Sequence, residues 1–253
     1  MIRTSIVIVF SVTFLGASAW AGEIGRLPLP GSLVEWNSSE GRRLFRESAS
    51  CQEAFWSVAE HLRPQSNLAT CAPTTALIVL NAMQRDLPQA REYGPYPYFT
   101  EDNFFTAEVE AIKKRTAVNG SGVTLDQLTK MLRTHGVEAD AIHARNTTVD
   151  KFEEDLQKTL SGPKQYVISN YFRPALGQKS AGHVSVVVAY HATEHRCLVL
   201  DCASFKYPFV WVKTADLFKA MGEQDDESKT SRGYIIVKER ASSDTRSSGQ
   251  VER

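Results

Sequence analysis

The sequence predicts an α+β domain in which a helical N-terminal half packs on an antiparallel sheet from the C-terminal half. Apolar residues recur at helical spacing as far as about residue 160, and later segments show the alternation or short apolar runs of strands. A block of helices followed by a block of strands is typical of this architecture. The 253 residues are enough for one domain with its own core.

The first 21 residues differ in character from the rest of the chain. Arg3 gives a positive start, an apolar run begins at Ile6, and Ala19-Trp20-Ala21 supplies small residues at a cleavage position. This pattern predicts a secretory signal peptide cleaved after Ala21, and therefore a periplasmic or secreted protein. The alternative is an uncleaved membrane anchor, but the run is short for a bilayer span, and no later segment is long enough.

The elements of the folded domain, residues 22–238, follow from local patterns. A helical stretch opens at Ser38-Ser39-Glu40-Gly41 and runs to about His61. The aromatic segment Tyr93–Phe99 is irregular and is interpreted either as loop packing or as a wall of a substrate cleft. The other elements are, in chain order, helix Cys71–Met83, a helix from Thr124 to Gly136, helix Thr148–Leu160, strands Gln165–Asn170, His183–Tyr190, Cys197–Leu200 and Val210–Val212, helix Ala215–Met221 and strand Tyr234–Val237. The polar residues 239–253 are predicted to be a disordered tail.

Charge and cysteine content exclude some functions. The chain has 29 basic and 29 acidic residues, and removal of the first 21 residues leaves 28 and 29, a net charge of −1. A nearly neutral chain gives no electrostatic case for binding nucleic acid or an anionic membrane. Of the four cysteines, Cys197 and Cys202 stand roughly 16 Å apart if they share a strand. Cys51 is therefore a candidate partner for either one, and Cys71 is expected to be free.

Cys71 lies at the start of its buried helix, with Thr70 as the N-cap and Pro73 in the first turn. The unpaired N–H groups and the positive end of the helix dipole favour a thiolate at this place. A lone cysteine before a helix is otherwise interpreted as a small buried core residue. Its companions elsewhere in the chain decide between these two interpretations.

Three such companions complete the parts of a cysteine acyl-transfer site. Gln65 precedes Cys71 by six residues, His183 stands in Gly182-His183-Val184-Ser185, and Asp201 follows an apolar strand. Cysteine serves as nucleophile, histidine as base, aspartate as the residue that orients histidine, and glutamine as oxyanion donor. A hairpin that turns near Glu194 would place His183 and Asp201 side by side, in a papain-type arrangement. His183 alone would be interpreted as a core histidine.

Many short segments, in one order from about Trp36 to Val237, resemble phytochelatin synthases, especially the short bacterial members that consist of the catalytic domain alone. The matching segments are Ser38-Ser39-Glu40-Gly41, Gln65 with Cys71, Leu80-Asn81, Phe99-Thr100-Glu101-Asp102-Asn103-Phe104-Phe105, Asn170-Tyr171-Phe172-Arg173, Gly177-Gln178, Gly182-His183-Val184-Ser185, Asp201 with Phe205-Lys206-Tyr207-Pro208, Trp211-Val212 and Arg232-Gly233-Tyr234.

The resemblance implies a papain-like fold and an enzyme that acts on glutathione. Cys71 would attack the Cys–Gly peptide carbonyl, release glycine and hold a γ-glutamylcysteinyl thioester, which water or a second glutathione accepts. It also implies substrate binding by Arg232, Arg173 and Asp225, with Arg232 on the γ-glutamyl carboxylate and Asp225 facing the γ-glutamyl amine. Asp225 has a solvated loop position as its alternative. No intrinsic cofactor and no protein-bound metal are expected, a cadmium or zinc ion would enter as a glutathione thiolate complex, and a homodimer is compatible with the family.

Departures from the family pattern keep two other functions open. Ala72 stands where the family commonly has glycine, Pro73 follows it, Ser204 replaces a usual arginine, and a cysteine-rich C-terminal region is missing. These differences favour hydrolysis or weak transfer over efficient polymer synthesis. The alternatives are a papain-type peptidase on other short peptides, and a thiol or metal-thiolate binding protein that has lost turnover.

Overall fold

The computed structural model describes residues 25–240, so the predicted signal peptide and the tail beyond Arg240 lie outside the described residues. An antiparallel sheet of seven strands has the order β1-β6-β5-β4-β3-β7-β2. The strands are β1 Val34–Glu35, β2 Glu138–His143, β3 Gln165–Phe172, β4 Gly182–His191, β5 Arg196–Leu200, β6 Val210–Lys213 and β7 Gly233–Lys238. The α-helices in the same range are α1 Ser39–Glu47, α2 Glu53–Glu60, α3 Cys71–Met83, α4 Glu101–Phe104, α5 Ala107–Ile112, α6 Arg115–Ser121, α7 Leu125–Thr134, α8 Val149–Leu160 and α9 Thr214–Gly222.

The predicted α+β class is confirmed, with most helices preceding the sheet in the chain. All five predicted strands are present, and each extends at most two residues beyond its predicted bounds at either end. Two strands were not predicted. β1 has only two residues. β2 combines acidic residues with small apolar ones, and it lies at the edge of the sheet, where only part of a strand is covered by the rest of the protein.

Helix α3 forms the centre of the core. All 13 of its residues are buried, and it packs against β4 and α2. Asn81 fixes the helix to the chain that enters α4: its side chain donates to the carbonyl of Phe99 (2.9 Å) and accepts from the N–H of the same residue (2.8 Å). A helix buried on every side holds its first residue in a fixed position relative to the sheet.

The β4–β5 hairpin carries a β-bulge that shifts its register. Val187 pairs with Val199, whereas Ala189 pairs with Leu198, so Val188 is the extra residue on β4. On the other side of β4 the pairing with β3 is regular, with His183 opposite Tyr171. The bulge therefore determines whether the side chains that follow β5 point to the same face of the sheet as a given side chain of β4.

The C-terminal end of the described chain is anchored to the domain. Arg85 forms an ion pair with Glu239 (3.0 Å) and donates to the carbonyl of Arg240 (2.7 Å). These two residues belong to the segment predicted to be a disordered tail, and the rest of that segment lies outside the described residues. Within residues 25–240, no helix combines the length and the apolar character that a bilayer span needs.

Candidate active site

Cys71 is the first residue of α3, and it lines a cleft between the helical half and the sheet. Its side chain is buried, with a relative exposure of 8%. Thr70 occupies the N-cap position as predicted, but its hydroxyl accepts from the N–H of Asn67 (3.1 Å) and makes no cap hydrogen bond to the helix. The first backbone N–H groups of α3 thus have no side-chain cap at the place where negative charge develops on Cys71.

His183 and Asp201 meet beside Cys71. His183 is the second residue of β4, and Asp201 directly follows β5, so the hairpin brings them together as predicted. The Nε2 atom of His183 lies 2.8 Å from Oδ1 of Asp201, and both side chains are buried. The backbone N–H of Ala203 also donates to Oδ1 (2.8 Å). Since Asp201 engages Nε2, the other ring nitrogen of His183 is available to the Cys71 thiol.

Charge favours an ion pair at this site. Burial opposes every charged form, yet the Asp201 carboxylate outweighs burial and raises the pKa of His183 well above its ordinary value. At Cys71, burial raises the pKa, but the hydrogen bond and charge of His183 prevail and lower it overall. Burial also acts to raise the pKa of Asp201, but the positive charges of His183 and Arg173 outweigh it and hold this pKa far below the usual range. These shifts favour the thiolate, the imidazolium and the carboxylate over their neutral forms.

Gln65 is buried in the loop before α3 and is tied to the segment that follows β5. Its backbone N–H donates to the carbonyl of Cys202 (2.9 Å), and its Oε1 accepts from the Cys202 thiol (3.4 Å). The Nε2 atom donates to the carbonyl of Asn67 (2.6 Å). A primary amide carries two N–H groups, so the bond to Asn67 leaves one N–H of Gln65 for an oxyanion.

Arg173, expected to contact substrate, lies instead behind Asp201. It is 1% exposed, its Nη2 is 2.6 Å from Oδ2 of Asp201, and its Nη1 donates to Gln178 (2.8 Å). Its guanidinium also rests over the ring of Tyr207 at 5.2 Å. These contacts remove Arg173 from the cleft, and they make it the residue that fixes Asp201. Its position could not be read from the sequence, because a buried ion pair has no local pattern.

The cleft has a volume of about 450 Å³ and holds Arg232 in the same space as Cys71 and His183. Arg232 is 4% exposed and donates through Nη1 to the backbone carbonyls of Glu223 and Gln224. Its guanidinium lies over the ring of Phe172 at 5.3 Å, and within the described residues its buried Nε has no hydrogen-bond partner. An arginine held along one edge, with a further N–H unmatched, is suited to binding a carboxylate.

An acidic loop, residues 223–231, forms one side of the cleft and contains Asp225. One oxygen of Asp225 accepts from two backbone N–H groups of the loop (3.1 and 3.0 Å), and the other lies 3.4 Å from Arg232. Glu227 of this loop is anchored by Lys113 (2.5 Å) and Gln127 (2.7 Å), which belong to the helical half. Asp225 is therefore a structured residue of the cleft, in contact with Arg232, and not a freely solvated charge.

A further part of the cleft wall is the segment from Gly120 to Thr124, at the end of α6 and the start of α7. Gly122 there has a φ of +73°, which favours glycine, but no pattern in the sequence connects this turn to Cys71. The Tyr93–Phe99 segment does not line this cleft. Tyr93 and Tyr96 lie on a separate groove with His61, whose ring bonds to the hydroxyl of Tyr98 (3.1 Å). The segment is therefore not a wall of the cleft that holds Cys71.

Two groups of side chains in the described residues have donor atoms close enough together for a metal ion. The first, His183, Asp201 and Cys202, includes two residues already committed to each other. In the second, Glu47 and Glu194 are both bound by Arg43, beside His191. Neither group has the free donor set of a built metal site.

A cysteine at a helix N-terminus, an imidazole held by a buried aspartate and a glutamine amide are the groups that cysteine acyl-transfer chemistry uses. A family model described as phytochelatin synthase matches residues 24–234, and the chain belongs to this family. The chain is 31% identical over 222 residues to glutathione gamma-glutamylcysteinyltransferase 1 of Lotus japonicus, covering 87% of this chain and 43% of that protein.

Two further relatives carry similar names. The chain is 31% identical to glutathione gamma-glutamylcysteinyltransferase 1 of Triticum aestivum, with 85% of this chain and 42% of the relative covered. It is 24% identical to glutathione gamma-glutamylcysteinyltransferase of Schizosaccharomyces pombe, with 83% and 50% covered. The chain thus spans half or less of the length of these relatives.

Proposed function

We propose that this protein cleaves glycine from glutathione through a γ-glutamylcysteinyl thioester on Cys71. Hydrolysis of the thioester gives γ-glutamylcysteine, and its transfer to a second glutathione gives short phytochelatins. The observation that carries the proposal is the ordered set of Cys71, His183 and Asp201 on a cleft that also holds the buried Arg232. The relatives are named as glutathione gamma-glutamylcysteinyltransferases, and these names support glutathione as the substrate.

The cleft matches the polar end of a γ-glutamyl group. Arg232 offers a guanidinium to the α-carboxylate, and Asp225 offers a carboxylate to the α-ammonium beside it. An α-linked glutamyl peptide lacks a free α-carboxylate at that residue, so this pair favours the γ linkage. Gly182 keeps the guanidinium within reach, because a Cβ at this position would lie 3.1 Å from Nε and Nη2 of Arg232.

The acylation step follows from the charges of the site. The Cys71 thiolate attacks the carbonyl of the Cys–Gly peptide, and the oxyanion receives hydrogen bonds from the Cys71 N–H and the Gln65 amide. The His183 imidazolium then gives its proton to the leaving amine of glycine. Asp201, fixed by Arg173, keeps Nε2 of His183 occupied, so that proton transfer occurs at the other ring nitrogen.

Deacylation uses the neutral His183 left after glycine departs. It takes a proton from water, or from the attacking group of a second glutathione, as the thioester breaks and the Cys71 thiolate returns. Cadmium or zinc enters as substrate, in a glutathione thiolate complex. The departures at Ala72 and Pro73 lie in the buried first turn of α3 and do not line the cleft, which favours turnover over a binding protein that has lost it. We further propose a periplasmic or secreted location.

The test is mass spectrometry of the protein, quenched in acid after brief mixing with glutathione. We expect a γ-glutamylcysteinyl adduct on Cys71 and release of free glycine, with neither in the Cys71→Ala variant. The α-linked isomer of the tripeptide is the matched substrate control and should give much less of both. Product analysis with and without cadmium then separates hydrolysis from chain extension. A folded protein that forms no adduct and releases no glycine would exclude this function.

A further inference from the structure

Cys202 is a second buried thiol at the active site that the acyl-transfer chemistry does not use. It follows Asp201 directly and is 1% exposed. Its Sγ lies 3.7 Å from the carbonyl oxygen of Cys71 and 3.5 Å from that of Val184, and Thr75 donates to it at 3.7 Å. The sulfur thus packs against the first turn of α3, between the nucleophile and the strand that carries His183.

Both thiols share one imidazole. Cys71 and His183 line the same cleft, and Cys202 Sγ lies within 4.8 Å of a ring nitrogen of His183 and of an Asp201 oxygen. All four cysteines are free thiols in the structure. Cys51 contacts Ser161 instead, and of the cysteines in residues 25–240 only Cys202 joins His183 and Asp201 in one cluster of side chains.

We propose that Cys202 is a resolving cysteine, and that glutathione disulfide converts Cys71 and Cys202 into a reversible, inactive disulfide. This inference rests on the proposed function only in that a cleft for glutathione also admits its disulfide. The enzyme would then work where glutathione is mostly reduced and stop where it is mostly oxidised.

The chemistry balances without another oxidant. The Cys71 thiolate attacks glutathione disulfide and expels one glutathione thiolate, which takes the proton of the His183 imidazolium. The neutral His183 then accepts the proton of the Cys202 thiol, and the Cys202 thiolate attacks Cys71 Sγ. The Cys71–glutathione bond breaks, and the second glutathione leaves with the proton from His183. Two enzyme thiols are oxidised and one glutathione disulfide is reduced to two glutathiones.

The same geometry explains how the buried Cys202 can attack the mixed disulfide on Cys71 without contact with solvent. A mixed disulfide on Cys71 leaves His183 without its thiolate partner, so the nearest buried thiol gains a free base. Closing the bond requires the two sulfur atoms to approach to about 2.05 Å by side-chain rotation. Excess glutathione reverses every step by thiol–disulfide exchange.

The experiment incubates wild type, Cys202→Val and Cys197→Val with glutathione disulfide and quenches them by acid. Intact masses and peptide maps are then recorded. We expect wild type and Cys197→Val to lose about 2 Da and to yield a peptide linking Cys71 with Cys202. Immediately after glutathione is added, their glycine release should be at least about tenfold slower than in untreated samples, and it should recover as glutathione reduces the disulfide. Cys202→Val should instead retain one glutathionyl group. Cys202→Ser serves as a second variant if the valine variant does not fold.

The inference is overturned if wild type yields no linked peptide, or carries the same stable glutathionyl group as Cys202→Val. Glycine release from glutathione, measured on untreated samples, reports the proposed function separately. A linked peptide without glycine release would remove that function and keep the resolving role of Cys202. Glycine release without a linked peptide would keep the proposed function and exclude the resolving role of Cys202.

Discussion

Replacement of Arg173 by methionine should destabilise the protein and slow the chemical step without weakening substrate binding. The guanidinium lies 2.6 Å from Asp201, and the two side chains are 1% and 2% exposed. Removal of one partner from a buried ion pair costs about 3–5 kcal/mol, because the other charge is left uncompensated. His183 still faces Asp201, so we expect the lower end of that range. At about 2–4 °C per kcal/mol for a domain of this size, Tm should fall by roughly 6–12 °C.

Thermal unfolding and steady-state kinetics on glutathione test this expectation together. Arg173→Met should lower kcat, since Asp201 no longer holds His183 in place, and should leave KM nearly unchanged. Arg173→Lys keeps the charge but not the paired contacts to Asp201 and Gln178. Its Tm and kcat should lie between those of Arg173→Met and wild type. An unchanged Tm with a raised KM would refute the reasoning and return Arg173 to the substrate.

Three further outcomes are expected. Asp201→Asn should lower kcat by roughly 10²–10⁴-fold. Because the carboxylate raises the pKa of His183, the alkaline limb of the pH–rate profile should also move to lower pH, and an unmoved limb would contradict the ion pair. Gly182→Ala should raise KM with little change in kcat, since the new methyl group crowds Arg232 at 3.1 Å; a loss confined to kcat would argue against carboxylate binding there. Lys113→Met should raise KM severalfold by releasing the acidic loop, as steady-state kinetics would show, and Lys113→Arg should restore it.

The meeting of Cys71, His183 and Asp201 was predictable because each lies on a segment with a clear local pattern. Cys71 begins an apolar helix, and His183 and Asp201 lie at the ends of two strands joined by a short turn, so chain order and strand pairing suffice to bring them together. Arg173 was not predictable, because its partners come from the loop after β3 and from the segment after β5. Such long-range polar contacts leave no periodic signal.

The parts of the cleft contributed by loops escaped prediction for a related reason. The wall from Gly120 to Thr124 and the anchoring of Glu227 by Lys113 depend on how the helical half docks on the sheet. The strand Glu138–His143 was missed because an edge strand needs only partial cover and therefore lacks an apolar run. Patterns of single elements predict the layers, whereas the contacts between layers set the shape of the cleft.

The position of the extra residue in the β4–β5 hairpin decides where the active site is sensitive to chain length. With Val187 opposite Val199, the register carried onward places Asp201 opposite Ser185, on the face that also bears His183. Deletion of Val188 would leave Ala189 opposite Leu198 and Val187 opposite Val199 in an unbroken ladder, so Asp201 would stay opposite Ser185. Loss of one residue between His183 and Val187 would instead turn His183 to the face opposite Asp201 and separate the acid from the histidine. Homologues aligned with a gap between these two residues should therefore be examined for a compensating insertion before they are counted as enzymes.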